Sequence, residues 1–135
     1  MNEDPTPPRA RIRRLVGVYN ANGTLGGELA YWVGARLGRA HCALCDITHA
    51  GIRERSDWAQ CRSALPVAFD TYHRNDQPDE IREAARAEAP VVVADTDRGR
   101  VVLLGPDEIA ACNGSPQRLT EALTTAADQQ HLDWP

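Results

Sequence analysis

The sequence predicts an α/β fold built around a central four-stranded mixed β-sheet. Short apolar, β-branched stretches alternate along the chain with segments of helical spacing, and the last two stretches flank a polar turn. The predicted order of elements is β-α-β-α-β-β-α, with an insertion that carries cysteine and histidine after the first helix. A helix joins parallel strands and a tight turn joins antiparallel ones, so this order predicts a mixed sheet.

Length and composition indicate one globular domain. The chain has 135 residues, of which 42% are hydrophobic, which is enough for a core without metal or disulfide support. We predict a disordered, proline-bearing arm over residues 1–11, a single domain over 12–128 and a tail over 129–135. The start of the chain lacks the apolar core of a signal peptide, which favours a reducing cytoplasmic location and cysteines without structural disulfides.

Charge narrows the classes of partner. A net charge of −4 argues against nucleic acid, and no apolar run approaches the ~20 residues of a membrane span. All 15 basic residues are arginine, which excludes Schiff-base lysines and a Walker-type phosphate loop.

The expected partner is a protein or small molecule. A homodimer stays open, although Trp32 and Trp134 are more typical of core packing than of a dimer surface.

The first unit is a strand, a turn and a helix. Residues 12–19 are almost continuously apolar, as in a strand covered on both faces. Residues 20–24 are turn and N-cap types, and apolar side chains recur with helical spacing from Leu25 to Leu37. Asn20 and Asn22 either cap this helix or form part of a ligand site with its exposed N–H groups.

The second half contains three further strands and two helical regions. They are a strand over 66–72, a short helix from Pro78, a hairpin of 90–94 and 100–104, and helical structure from Pro106 onward. His73 follows the second strand, at the edge where open α/β sheets form ligand crevices. It is either a ligand-binding residue or a hydrogen-bonded loop residue.

Residues 41–49 hold two of the four cysteines and two of the four histidines. If a helix begins at Cys42, then Cys42, Cys45 and His49 stand at i, i+3 and i+7 on a single face. Thiolate and imidazole are soft metal ligands, and a thiolate is also a strong nucleophile. The stretch therefore predicts a soft-metal or redox site.

Three interpretations of this stretch stay open. In the first, Cys42, Cys45 and His49 bind a soft transition metal, zinc by default, with a fourth ligand from His41, Asp46, Cys61, His73 or water. In the second, Cys42 attacks and Cys45 resolves in thiol–disulfide exchange; a neighbouring imidazole favours the thiolate, and Asp46 opposes it. In the third, the cysteines are packed thiols and the histidines are incidental.

Over residues 12–127 the order of elements resembles the thioredoxin-like fold. The resemblance implies a cis-proline at Pro90, immediately before the third strand and beside the first helix. Thioredoxins carry Cys-x-x-Cys at the start of that helix, where this chain has residues 20–24. Here the Cys-x-x-Cys follows the helix instead.

The chain is also similar to a group of small, poorly characterised bacterial proteins. They share a strand ending in Tyr-Asn-Ala, a Cys-x-Leu-Cys-x-Ile/Leu-Thr segment, a downstream Trp and a His-Arg pair after the second strand. The matching positions are Tyr19 to Ala21, Cys42 to Thr48, Trp58 and His73-Arg74. This similarity implies no particular activity.

Overall fold

The structure is a computed structural model that describes residues 9–20, 42–50, 53–86 and 88–135. The predicted helix over 25–37, Asn22, Trp32, His41 and most of the N-terminal arm lie outside these ranges. Strands in the described part are β1 (Ala10–Val18), β2 (His49–Ala50), β3 (Arg53–Glu54), β4 (Ala68–Tyr72), β5 (Val91–Thr96), β6 (Gly99–Leu104) and β7 (Leu132–Asp133). The helices are α1 (Ala43–Thr48), α2 (Ser56–Ser63), α3 (Asp79–Ala85), α4 (Pro106–Ala110) and α5 (Pro116–Gln129).

The main sheet is mixed, in the order β4-β1-β5-β6, and β7 also pairs with β1. Strand β1 runs parallel to β4 and antiparallel to β5, while β5 and β6 form an antiparallel hairpin. The predicted α/β class with a mixed sheet is therefore confirmed. A fifth strand comes from the C-terminal tail, where Leu132 pairs with Ala10.

Strand β1 is central because its side chains are buried on both faces of the sheet. Leu15 belongs to a larger core that also contains Trp58 and residues of α1, α4 and α5. Val16 and Val18 point to the opposite face, where Ile81 of α3 completes a smaller core. The near-continuous apolar run in the sequence reflects this double burial.

The predicted hairpin is confirmed, with a shorter turn than expected. Asp95 and Thr96 extend β5, so Asp97 and Arg98 form the turn and Gly99 follows at φ +108°. The peptide bond between Ala89 and Pro90 is cis, as the resemblance implies.

The insertion is more elaborate than the single helix that the sequence predicts. It contains α1, a short antiparallel ribbon of β2 and β3, and then α2. Helix α2 buries Trp58 against Phe69 of β4, with the two rings edge to face at 4.9 Å. No helix in the described ranges is sufficiently long and apolar to span a membrane.

Candidate dithiol site

Cys42 is the N-cap of helix α1. Its backbone is extended (φ −139°, ψ 108°), and its Sγ accepts a hydrogen bond from the backbone N–H of Cys45 at 3.3 Å. A second backbone N–H, from Asn20 at the end of β1, donates to the same sulfur at 3.4 Å. The first N–H groups of a helix have no partner within the helix, so a capping sulfur satisfies one of them. Cys42 thereby joins the start of α1 to the end of β1.

The surroundings of Cys42 favour its thiolate. A hydrogen bond from the Cys45 side chain is the largest influence that lowers the pKa of Cys42, and the N–H groups of Asn20, Cys45 and Leu44 lower it further. Burial opposes them, but the pKa still lies below its ordinary value. Cys42 is 0% exposed and Cys45 is 5% exposed. Of the two cysteines, Cys42 is therefore the one whose surroundings favour the thiolate form.

The expectation that His49 continues the helical face of the two cysteines is wrong. Helix α1 ends at Thr48, and His49 is its C-cap with an extended backbone (φ −131°, ψ 150°) that begins β2. Its Nδ1 lies 2.7 Å from Oγ1 of Thr48, and its ring contacts the Tyr19 ring edge-on at 5.8 Å. The i, i+7 spacing fails because the helix is too short to include it.

Tyr19 and its neighbour Asn20 contact the two ends of α1. Its Oη is 3.0 Å from Oγ1 of Thr48 at the last turn, while the next residue, Asn20, reaches Cys42 at the first. Burial, together with the nearby charges of Cys45 and Cys42, raises the pKa of Tyr19 to about 12, although hydrogen bonds from Thr48 and Thr71 oppose this shift. The phenol therefore stays protonated at neutral pH and is available as a hydrogen-bond donor.

Two residues predicted to contact a ligand, Asn20 and His73, lie at the same end of the sheet as Cys42. The His73 ring is 5.6 Å from the Tyr19 ring, and its Nδ1 is 3.1 Å from Oδ2 of Asp76. Oδ1 of Asn20 accepts a hydrogen bond from Nη1 of Arg74 at 2.9 Å. The loop after β4 is thus connected to the dithiol site through Asn20.

The other two cysteines have different surroundings. Cys61 of α2, a predicted fourth ligand, is partly buried against the larger core. Cys112 is buried after α4, where its Sγ donates to the Glu108 carbonyl at 3.5 Å. Burial raises the pKa of Cys112, and the charge of Arg118 only partly opposes this shift. Cys112 is therefore a packed, protonated thiol.

No group of three or more His, Cys, Asp or Glu side chains that could hold a metal ion occurs within residues 9–20, 42–50, 53–86 and 88–135. His41, a predicted fourth ligand, lies outside these ranges. Sequence reasoning gave no role to Tyr19, Thr48 or Arg74, although all three stand in the motifs that carry the second resemblance.

Comparisons with known proteins do not extend this description, because no family model, curated protein or solved structure matches the chain. The chemistry of the dithiol site therefore follows from its own geometry.

Proposed function

We propose that Cys42 and Cys45 form a reversible dithiol–disulfide pair, through which the protein exchanges two electrons with a partner disulfide. The observation that carries this proposal is the set of donors around one sulfur. Two backbone N–H groups and the Cys45 thiol all point to Sγ of Cys42. Such donors stabilise a thiolate, which is the form of cysteine that attacks a disulfide.

The exchange takes two steps. The Cys42 thiolate attacks one sulfur of the partner disulfide, the partner's S–S bond breaks, and the released thiolate takes up a proton. Cys45 then loses its proton and attacks Sγ of Cys42, which releases the second partner thiol after protonation. Counting the proton that Cys42 releases to solvent when its thiolate forms, the pair loses two electrons and two protons, and the partner disulfide gains the same number. Because Cys42 is fully buried, its covering groups have to move apart before a partner reaches it.

A thioredoxin-like fold is part of the same proposal. The strand order β4-β1-β5-β6, with β1 and β4 parallel and a following antiparallel hairpin, supports it. A final helix, α5, packs against the larger core, as this fold requires. The position of the Cys42–Cys45 pair differs from that in thioredoxins, because the pair lies at the start of α1, within the insertion. A reducing cytoplasmic compartment would return the pair to the dithiol state after each exchange.

Oxidised glutathione provides a direct test of the pair. We expect the wild-type chain to lose two hydrogens in its intact mass, with Cys42 and Cys45 linked in the peptide map. Cys42→Ser should abolish this product, because it removes the attacking sulfur. The matched control is Cys112→Ser, which removes another buried cysteine and should leave the product unchanged.

Two results would contradict the proposal. One is a wild-type chain whose Cys42 and Cys45 never become linked, and the other is an identical mass loss in Cys42→Ser. Elemental analysis of the freshly purified protein adds a further check. Stoichiometric zinc that disappears in Cys42→Ser would instead favour the soft-metal site expected from the sequence.

A further inference from the structure

We infer that Arg74 is a positioning residue of the dithiol pair, because it holds Asn20 in the orientation that directs the Asn20 N–H at Sγ of Cys42. The inference rests on the proposed function and adds a remote residue to it. Arg74 lies in the loop after β4 and acts through Asn20, without a part in the bond changes.

Two consecutive hydrogen bonds connect Arg74 to the sulfur. Nη1 of Arg74 donates to Oδ1 of Asn20 at 2.9 Å, and the backbone N–H of Asn20 donates to Sγ of Cys42 at 3.4 Å. The first bond fixes the side chain of Asn20 and the second uses its backbone. If the peptide plane that carries the Asn20 N–H turned, the Asn20 side chain would move with it, and both hydrogen bonds would break at once.

The loop that carries Arg74 is itself well anchored. The Arg74 carbonyl accepts hydrogen bonds from Nε2 of Gln77 and Nη2 of Arg82, each at 3.1 Å. Gln77 is 8% exposed, so one of these anchors is buried. On the other side, the Tyr19 N–H donates to the Tyr72 carbonyl at 2.8 Å and continues the pairing of β1 with β4. Arg74 thus joins Asn20 to a fixed part of the fold.

The orientation of the Asn20 N–H determines how strongly it stabilises the Cys42 thiolate. A hydrogen bond weakens steeply as its donor turns away from the acceptor, so the 3.4 Å contact of the Asn20 N–H with the sulfur depends on the orientation of Asn20. Without Arg74, Asn20 loses its side-chain partner and its N–H becomes free to turn. The Cys42 thiolate is then less stabilised, so it forms less readily and the reduced pair loses stability relative to the disulfide.

The test compares Arg74→Met with the wild-type chain in two measurements. One is the rate at which iodoacetamide alkylates Cys42 in mildly acidic buffer, where an ordinary thiolate is the minor form, read from the peptide map. The other is the dithiol–disulfide equilibrium in a glutathione buffer. We expect alkylation to slow by about three- to tenfold, the scale of one ordinary hydrogen bond, and the equilibrium to shift towards the disulfide.

Four further variants separate positioning from other causes. Arg74→Lys, which retains a charged donor, should recover part of the rate. Asn20→Ala should reproduce the loss, and adding Arg74→Met to it should have no further effect, because Arg74 acts through Asn20. Arg98→Met is the matched control at the far turn of the β5–β6 hairpin and should behave as wild type. Equal midpoints of urea unfolding would show that the variants remain folded.

An unchanged rate in Arg74→Met would overturn this role, as would an undiminished effect of Arg74→Met in the Asn20→Ala background. Both results leave the Cys42–Cys45 disulfide of the wild-type chain intact, so the proposed function would survive them. A wild-type chain that never forms this disulfide overturns the proposed function, and the role of Arg74 with it.

Discussion

Cys42 and Cys112 are both buried next to a short helix, yet their surroundings shift their pKa values in opposite directions. Cys42 precedes α1, and the backbone N–H of Cys45 in the first turn donates a hydrogen bond to its sulfur. Cys112 follows α4, where a carbonyl oxygen is the hydrogen-bond partner of its sulfur. Burial penalises a thiolate at both sites, and at Cys42 the hydrogen-bond donors around the sulfur outweigh that penalty. The donors around a buried sulfur therefore matter more than its depth.

The largest expected effect is the loss of unfolding free energy when each of these cysteines is replaced by Asp, which places a carboxylate in its buried position. Cys112→Asp places a negative charge among apolar groups beside a carbonyl oxygen, and should lower the free energy of unfolding by at least about 3 kcal/mol. Cys42→Asp provides an N-cap carboxylate that can accept the same backbone N–H groups, so it should cost at least about 2 kcal/mol less. Urea unfolding at neutral pH measures both. Equal losses would mean that the N–H groups at Cys42 do not favour an anion.

A smaller effect is expected at Arg55, which connects the two regions. Its Nη1 donates to the Asp46 carbonyl in α1 at 2.9 Å and to the Gly114 carbonyl at 2.6 Å, and its guanidinium also pairs with Asp57. Arg55→Met leaves both carbonyls without this donor and should lower the free energy of unfolding by about 1–2 kcal/mol.

The matched control for Arg55 is Arg62→Met. Arg62 pairs with Glu54 at the protein surface, and exposed ion pairs contribute about 0–1 kcal/mol. If Arg62→Met costs as much as Arg55→Met in urea unfolding, the connection through Arg55 has no special role in joining the dithiol site to the region of Cys112.

The smallest effect is the pH dependence of stability, which should have opposite signs at the two cysteines. The lowered pKa of Cys42 contributes stability above the unfolded-state pKa of about 8.5, and this contribution is lost as the pH falls through the folded pKa. The raised pKa of Cys112 contributes stability below about 8.5, and this contribution is lost as the pH rises through the folded pKa.

Urea unfolding from mildly acidic to alkaline pH checks these signs. Subtracting the Cys42→Ser curve from the wild-type curve should leave a difference that rises with pH, whereas the Cys112→Ser difference should fall at alkaline pH. Two differences of the same sign would show that the two thiols have equivalent surroundings.

Much of the fold could be predicted because its signals are local. Leu119, Leu123 and Ala127 recur in the sequence with helical spacing, and all three side chains are buried on one face of α5. Pro78 and Pro106 correctly marked the starts of α3 and α4. The early end of α1 was missed, because the pairing of β2 with β3 takes His49 out of the helix, and that pairing is not evident from helical spacing.

The sequence by itself determined where the four longer strands, the helices α3 to α5 and the paired cysteines occur, because periodicity, turn residues and spacing act over a few neighbouring positions. Only the tertiary structure decided what surrounds the sulfur of Cys42. Asn20 lies 22 residues away from Cys42 in the chain, and Arg74 lies 54 residues away from Asn20. These contacts exist because parallel pairing of β1 with β4 brings two strand ends to one edge of the sheet, next to the start of α1.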